Sequence, residues 1–150
     1  MNKIFRFLFA AAAALMMLCG CAEEKVRVRE DFNDGWRFHL GDVPEAYAAA
    51  YDDSGWRELE LPHDWAVEGD FSIDNPSGTG GGSLPGGIGW YRKTFTIPAE
   101  DYGKHIWVEF DGIFRDSQVW LNGFYLGHEK SGYASQLYDI SEYLNYGGEN

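Results

Sequence analysis

Apolar and polar side chains alternate with a period of two between Gly89 and Lys130. In three successive stretches, the residues on one face of the predicted strand are apolar. They are Tyr91, Phe95 and Ile97, then Ile106, Val108 and Phe110, then Val119 and Leu121. The last stretch runs into Asn122-Gly123, a pair that favours a two-residue hairpin turn because both residues tolerate positive φ. The alternation therefore predicts several antiparallel strands, each with one buried face.

Weaker patterns on the N-terminal side predict four more elements. These are an edge strand over Val26 to Asp31, a strand over Trp36 to Leu40, a helix over the alanine-rich Ala46 to Tyr51, and a strand from Leu59 that ends at Pro62. In the second element the alternation places Trp36 and Phe38 on the buried side. Proline ends the last strand because it cannot donate to a ladder. Strands therefore predominate, which indicates an all-β domain.

The segment from Asp74 to Gly89 departs from this pattern because it is dominated by glycine. One interpretation is a flexible linker between two domains. The other is a binding or contact loop inside one compact domain, which the strand patterns on both sides favour. A phosphate-binding loop is excluded, since no Gly-Lys-Ser/Thr sequence follows and no helix begins after it.

The first twenty residues form a predicted export signal. Lys3 and Arg6 supply a basic region, and an apolar stretch too short to span a bilayer comfortably follows. The stretch ends before Cys21 in a sequence that resembles the lipobox of bacterial lipoproteins, which makes Cys21 the predicted lipid attachment site. An ordinary secretory peptide cut near Ala22 is the alternative. Both interpretations export the chain, and residues 21–30 become an acidic tether and first strand.

The amino-acid composition limits the binding partners and the kinds of fold that the chain can have. The chain has 24 acidic against 12 basic residues and a formal net charge of −12, which disfavours nucleic acid as a partner. Aromatic residues make up 17% of the chain, with six tryptophans and ten phenylalanines, as suits a sandwich lined with large rings. The two cysteines lie at the predicted cleavage site, so no disulfide is expected in the mature domain.

No catalytic constellation is evident. His63 and Asp64 are adjacent, but neighbours on an extended segment point to opposite faces and cannot form a dyad. We expect Asp64 to accept backbone N–H bonds and Trp65 to fill the core. The histidines lack zinc-site spacing, and the carboxylates lack an EF-hand pattern, so we expect no metal site of either kind and no cofactor. A hard cation held by a few surface carboxylates is the alternative.

Six short motifs occur in a fixed order. They are Phe32 to Phe38 (FNDGWRF), Leu61 to Trp65 (LPHDW), Gly86 to Lys93 (GGIGWYRK), Phe110 to Gly112 (FDG), Val119 to Gly123 (VWLNG) and Leu126-Gly127 (LG). The series resembles the N-terminal sugar-binding domain of glycoside hydrolase family 2, most of all β-galactosidase-like members from Bacteroides-type bacteria. The resemblance covers residues 31–150.

The resemblance implies a galactose-binding-like jelly-roll β-sandwich, followed by immunoglobulin-like and TIM-barrel domains beyond residue 150. The barrel would carry the two catalytic glutamates, so no catalytic residue is expected in this chain. The turn at the C-terminal end indicates a jelly roll truncated before its last strands. Asp74 and Asn75 match a family segment that reaches the substrate, with Ser77 in place of threonine, and are the predicted substrate-binding residues. A turn-forming role for Asn75 is the alternative.

The chain is therefore predicted to be the N-terminal part of an exported, retaining glycoside hydrolase that cleaves terminal β-galactosides. The enzyme is predicted to be lipid-anchored to the outer membrane. Its predicted partners are a carbohydrate substrate and its own catalytic barrel, with membrane contact through the lipid alone. The alternatives are a non-catalytic carbohydrate-binding surface lipoprotein, and a family 2 β-glucuronidase or β-mannosidase.

Overall fold

Strand β1 (Trp36–Leu40) is the central strand of a three-stranded antiparallel sheet in a computed structural model, which describes residues 27–150. Strand β2 (Arg57–Leu59) pairs with one edge of β1, and strand β3 (Gly89–Arg92) pairs with the other. Trp36 and Phe38 are 9% and 7% exposed, as the alternation predicts for the buried side of this strand.

Four further strands form two antiparallel pairs. Strand β4 (Trp107–Phe110) pairs with β7 (Gln136–Asp139), and β5 (Ser117–Leu121) pairs with β6 (Phe124–Glu129). The predicted turn joins β5 to β6, with φ of 51° at Asn122 and 84° at Gly123. The antiparallel prediction is confirmed. Within residues 27–150, a two-residue turn joins β5 to β6, whereas the consecutive strands β1 and β2 are joined by the longer segment 41–56.

Aromatic and polar contacts connect the three sheets. The rings of Trp36 on β1 and Phe110 on β4 are 6.4 Å apart, and Trp90 on β3 stacks on Trp120 of β5 at 5.5 Å. On β7 the amide nitrogen of the buried Gln136 donates to Ser117 Oγ at 2.9 Å. The core therefore forms where the sheets face one another, since each sheet alone is too small to bury both of its faces.

Between residues 27 and 150, helical structure is limited to short 3₁₀ turns. They are Pro44–Tyr47, Trp65–Glu68, Thr79–Gly81, Ala99–Asp101 and Ser141–Tyr143. The helix predicted over Ala46 to Tyr51 is wrong in position and type. Proline starts the first turn at Pro44, and the extended backbone of Ala48 ends it, so the alanine run never closes a full α-helical turn.

The chain divides into two units, Met1–Asp31 and Phe32–Asn150. In the first unit, Arg27 to Asp31 have no regular secondary structure, so the predicted edge strand is wrong for these residues. A short segment reaches strand pairing only where a neighbour supplies a matching ladder. Val26, the predicted signal peptide and Cys21 lie outside the described residues. Within residues 27–150, no helix has both the length and the apolar content needed to cross a membrane.

Candidate functional site

The glycine-rich loop, residues 69–88, joins the 3₁₀ turn Trp65–Glu68 to β3. Contacts across it are nested from base to tip: His63 with Tyr91, Trp65 with Gly89, Gly69 with Pro85, and Ser72 with Ser83. The two arms of the loop therefore run side by side, and the turn from Asp74 to Thr79 lies at the far end. Because β1 and β3 share a sheet, the linker interpretation is wrong and the loop belongs to the domain.

At the base of the loop, the backbone of Gly89 lies close to the rings of Trp65 and Phe38. A Cβ atom at Gly89 would lie 2.8 Å from Trp65 Nε1 and 3.1 Å from Phe38 Cε2, distances that leave no room for a side chain. Trp65 is half-buried here and does not join the buried core residues Trp36, Phe38, Ala46 and Ile140. Its expected core role is therefore corrected to one of packing against the loop.

At the tip of the loop, Asn75 bonds through its side-chain nitrogen to the backbone of both arms. Its Nδ2 donates to the carbonyl oxygens of Ser83 at 2.7 Å and Asp70 at 2.9 Å, which ties the two arms together. Its Oδ1 accepts no hydrogen bond from any residue between 27 and 150. The neighbouring Asp74 is exposed, and its backbone N–H donates to Ser72 Oγ at 3.2 Å. The Asp74 carboxylate and the Asn75 carboxamide oxygen are therefore available to an external donor.

His63 connects the base of the loop to β2. Its Nδ1 lies 2.8 Å from the Tyr91 hydroxyl, and its Nε2 lies 2.7 Å from Arg57 Nη2. Arg57 also bonds both carboxylate oxygens of Glu68, at 3.1 and 3.0 Å. Because a guanidinium only donates, Nε2 is an acceptor and the proton of neutral His63 sits on Nδ1, from which it is donated to Tyr91. Nε2 and Glu68 Oε1, 3.2 Å apart, then share Arg57 as donor.

Two ionisable groups in this cluster have shifted pKa values. Burial, with a further contribution from the Asp64 carboxylate, raises the pKa of Tyr91 to about 12. Hydrogen bonds from Arg57 are the largest cause that lowers the pKa of the Glu68 carboxyl. The cluster therefore holds Tyr91 as a neutral phenol and Glu68 as a carboxylate across the neutral range.

Asp64 has the structural role expected of it. Its Oδ1 accepts the N–H of Ala66 at 2.9 Å and so caps the 3₁₀ turn Trp65–Glu68. His63 and Asp64 do not act as a dyad, because the imidazole faces Tyr91 and Arg57. Sequence reasoning missed Arg57, Glu68 and Tyr91 as partners of His63; the alternation identified Tyr91 only as a residue on a buried face.

A second polar cluster ties the segment after the first 3₁₀ turn to the β1 sheet. Asp53 accepts from Arg37 Nη1 on β1 and from Arg92 Nε on β3, both at 2.9 Å. Arg92 also donates to the carbonyl oxygens of Ala46 and Ala48 and lies over the Tyr51 ring. In the part of the chain that the structure describes, no group of three histidine, cysteine or acidic side chains is placed to hold a metal.

The family model described as glycosyl hydrolases family 2, sugar binding domain, matches residues 29–150. The beta-galactosidase BoGH2A of Bacteroides ovatus is 55% identical over 124 residues, which cover 83% of this chain and 15% of the relative. The chain thus spans about a seventh of the length of that curated relative.

Solved structures agree with the sequence matches. The crystal structure of a beta-glycosidase from Bacteroides vulgatus has a TM-score of 0.75 and 45% identity, covering 79% of this chain and 16% of that one. The Bacteroides uniformis beta-glucuronidase has a TM-score of 0.69 and 28% identity, covering 80% and 13%. The predicted all-β sandwich is confirmed by these superpositions. By sequence and by fold, the chain belongs to glycoside hydrolase family 2, and residues 29–150 match the sugar-binding domain of that family.

Proposed function

We propose that the chain is part of a retaining glycoside hydrolase that cleaves terminal β-galactosides, and that this domain supports the catalytic barrel. The observation that carries the proposal is the 55% identity to a Bacteroides ovatus beta-galactosidase. Retaining hydrolysis needs two carboxyl groups about 5 Å apart on either side of the scissile bond. We assign both to the barrel that the family implies, and none to this chain.

Exposed apolar side chains along the glycine-rich loop support the scaffolding role. Phe71 and Ile73 are 74% and 73% exposed, and Ile88 and the adjoining Leu40 are about half exposed. Exposed apolar side chains gathered on one loop are typical of a surface that a neighbouring domain or partner covers. In the proposal, the catalytic barrel covers them.

The tip of the loop is the proposed substrate contact. The Asp74 carboxylate and the Asn75 carboxamide oxygen can both accept hydrogen bonds, as recognition of sugar hydroxyl groups requires. The nested contacts below them hold this pair at a defined distance from the sheet. A site held in place by such contacts can orient a substrate without supplying chemistry.

The proposal is tested on the full-length product of the reading frame with aryl β-galactosides and aryl β-glucuronides. We expect hydrolysis of the galactosides with retention of configuration at the anomeric carbon. Turnover of the glucuronides alone would instead support the second candidate, a β-glucuronidase, which the match to the Bacteroides uniformis enzyme favours at lower identity. Glycan binding without any hydrolysis would support a carbohydrate-binding lipoprotein.

Export and lipid anchoring form a separate part of the proposal. The basic start, the apolar stretch and Cys21 support it. We expect labelled palmitate to be incorporated into the wild type in a Bacteroides host and not into Cys21→Ser, with the matched variant Cys19→Ser labelled normally. Equal labelling of both variants would contradict attachment at Cys21.

A further inference from the structure

His63 brings together the two ends of the glycine-rich loop. Tyr91, on β3, follows the loop, and its hydroxyl accepts from Nδ1 of His63 at 2.8 Å. Glu68 is the last residue before the loop, and it shares the donor Arg57 with Nε2 of His63. The imidazole thus links one end of the loop directly, and the other through a guanidinium.

Ring packing and burial hold the His63 side chain in a fixed position. The His63 ring also packs against Phe38 of β1 at 5.0 Å, and the Tyr91 ring packs against the same Phe38 at 4.9 Å. The side chain of His63 is only 12% exposed. Its contacts therefore fix the ring relative to all three strands of the β1 sheet, since Arg57 is on β2, Phe38 on β1 and Tyr91 on β3.

Nothing comparable holds the loop farther out. Above the base, its arms are joined by hydrogen bonds between residues that are not buried, such as Ser72 N–H to Ser83 O at 3.0 Å and Ser77 Oγ to Leu84 O at 2.5 Å. No residue from 69 to 88 is buried. Few apolar contacts and exposed hydrogen bonds give a segment low local stability, so its order depends on how firmly its ends are held.

We propose that His63 is a positioning residue, which sets the place of the Asp74–Asn75 tip by holding the two ends of the glycine-rich loop together. The ordering of the loop follows from the contacts of the cluster alone. Its consequence for substrate binding rests on the proposed function.

Hydrogen exchange of the loop amides tests the ordering in the full-length protein. Tyr91→Phe removes the hydroxyl that His63 bonds and keeps the ring against Phe38. Since one hydrogen bond contributes modestly, we expect the Ser72 and Ser83 amides to exchange about fivefold faster. The matched control is Tyr138→Phe, which removes a hydroxyl bonded to Gln136 at 2.8 Å on β7 and should leave these amides unchanged. Equal rates in wild type and Tyr91→Phe would overturn the proposal.

His63→Gln tests whether the cluster acts as one unit. We expect faster exchange of the same amides, and no further increase when Tyr91→Phe is added, because both changes remove one interaction. Independent effects that multiply in the double variant would overturn the role of the His63–Tyr91 bond. If His63→Gln fails to fold, Tyr91→Phe still decides the question.

Kinetics with an aryl β-galactoside test the consequence for substrate. With the loop loosened, we expect Tyr91→Phe to raise KM about threefold or more and to leave kcat within about twofold, since only a binding contact is displaced. A loosened loop with unchanged KM would overturn the link to the substrate. If the wild type hydrolyses no galactoside, the proposed function fails, while the exchange rates still decide whether His63 positions the loop.

Discussion

Strand β1 and the glycine-rich loop meet at Gly89, and different interactions hold them in place. β1 buries Trp36 and Phe38 and is paired along both of its edges. The loop buries no residue between 69 and 88, and it is held by hydrogen bonds and by close approach of glycine backbone to rings. Burial of apolar area therefore stabilises the sheet, whereas the loop depends on hydrogen bonds and on close approach of its backbone to neighbouring rings.

The largest effect is expected in the sheet. Phe38→Ala removes a buried ring that packs against His63 and Tyr91, and should cost about 3–5 kcal/mol. Hydrogen exchange of the β1 and β3 amides in the full-length protein measures the loss in this domain. Phe38→Leu, which keeps much of the volume, should lose less than half as much. A loss below about 1 kcal/mol for Phe38→Ala would show that the sheet does not depend on burial.

A smaller effect is expected where the two regions meet. Gly89→Ala places a methyl group against Trp65 and Phe38, and overpacking of this kind costs about 1–3 kcal/mol. The matched control is Gly55→Ala, because a Cβ atom there has no neighbour within 4 Å. Exchange rates on β3 and in the loop should rise for Gly89→Ala and stay unchanged for Gly55→Ala. Equal tolerance of the two substitutions would contradict the close packing at the base.

In the 3₁₀ turn Trp65–Glu68, which precedes the loop, a still smaller effect is expected from the loss of one hydrogen bond. Asp64→Ala removes the acceptor for the Ala66 N–H, and loss of such a cap costs about 1 kcal/mol. Asp64→Asn keeps a capping oxygen and should restore most of the stability. The measurement is the exchange of amides from Ala66 to Gly69, where Ala and Asn variants that behave alike would rule out a capping role.

The last effect appears only at alkaline pH. Burial raises the pKa of Tyr91 to about 12, above the ordinary value of 10.0. Between these values the folded chain keeps the phenol proton and the unfolded chain releases it, so the unfolded state binds fewer protons and stability falls as pH rises. Local stability of β3 should decline between about pH 10 and 12, and Tyr91→Phe should decline less steeply. Identical slopes in the two proteins would refute the assignment to Tyr91.

Much of the sheet could be predicted from the sequence, because the alternation of side chains is a local property of an extended chain. The buried side of β1, the alternation over β4 and the Asn122-Gly123 turn all follow from a period of two and from residues that accept positive φ. The helix over Ala46 to Tyr51 failed for the converse reason. Helix propensity is weak over six residues, and the extended backbone at Ala48 overrides it.

The sequence by itself determined the family through the order of the six motifs. Motif order can be recognised without knowledge of the tertiary contacts that the motif residues make. The pairing of strands and the partners of His63 were decided by the tertiary structure. β3 pairs with β1 across the whole glycine-rich loop, and only that pairing brings Tyr91 to His63, 28 positions away. The alternation of apolar and polar side chains predicts the face of a strand on which a residue lies. Contacts between residues far apart in sequence depend instead on how the chain closes its long loops.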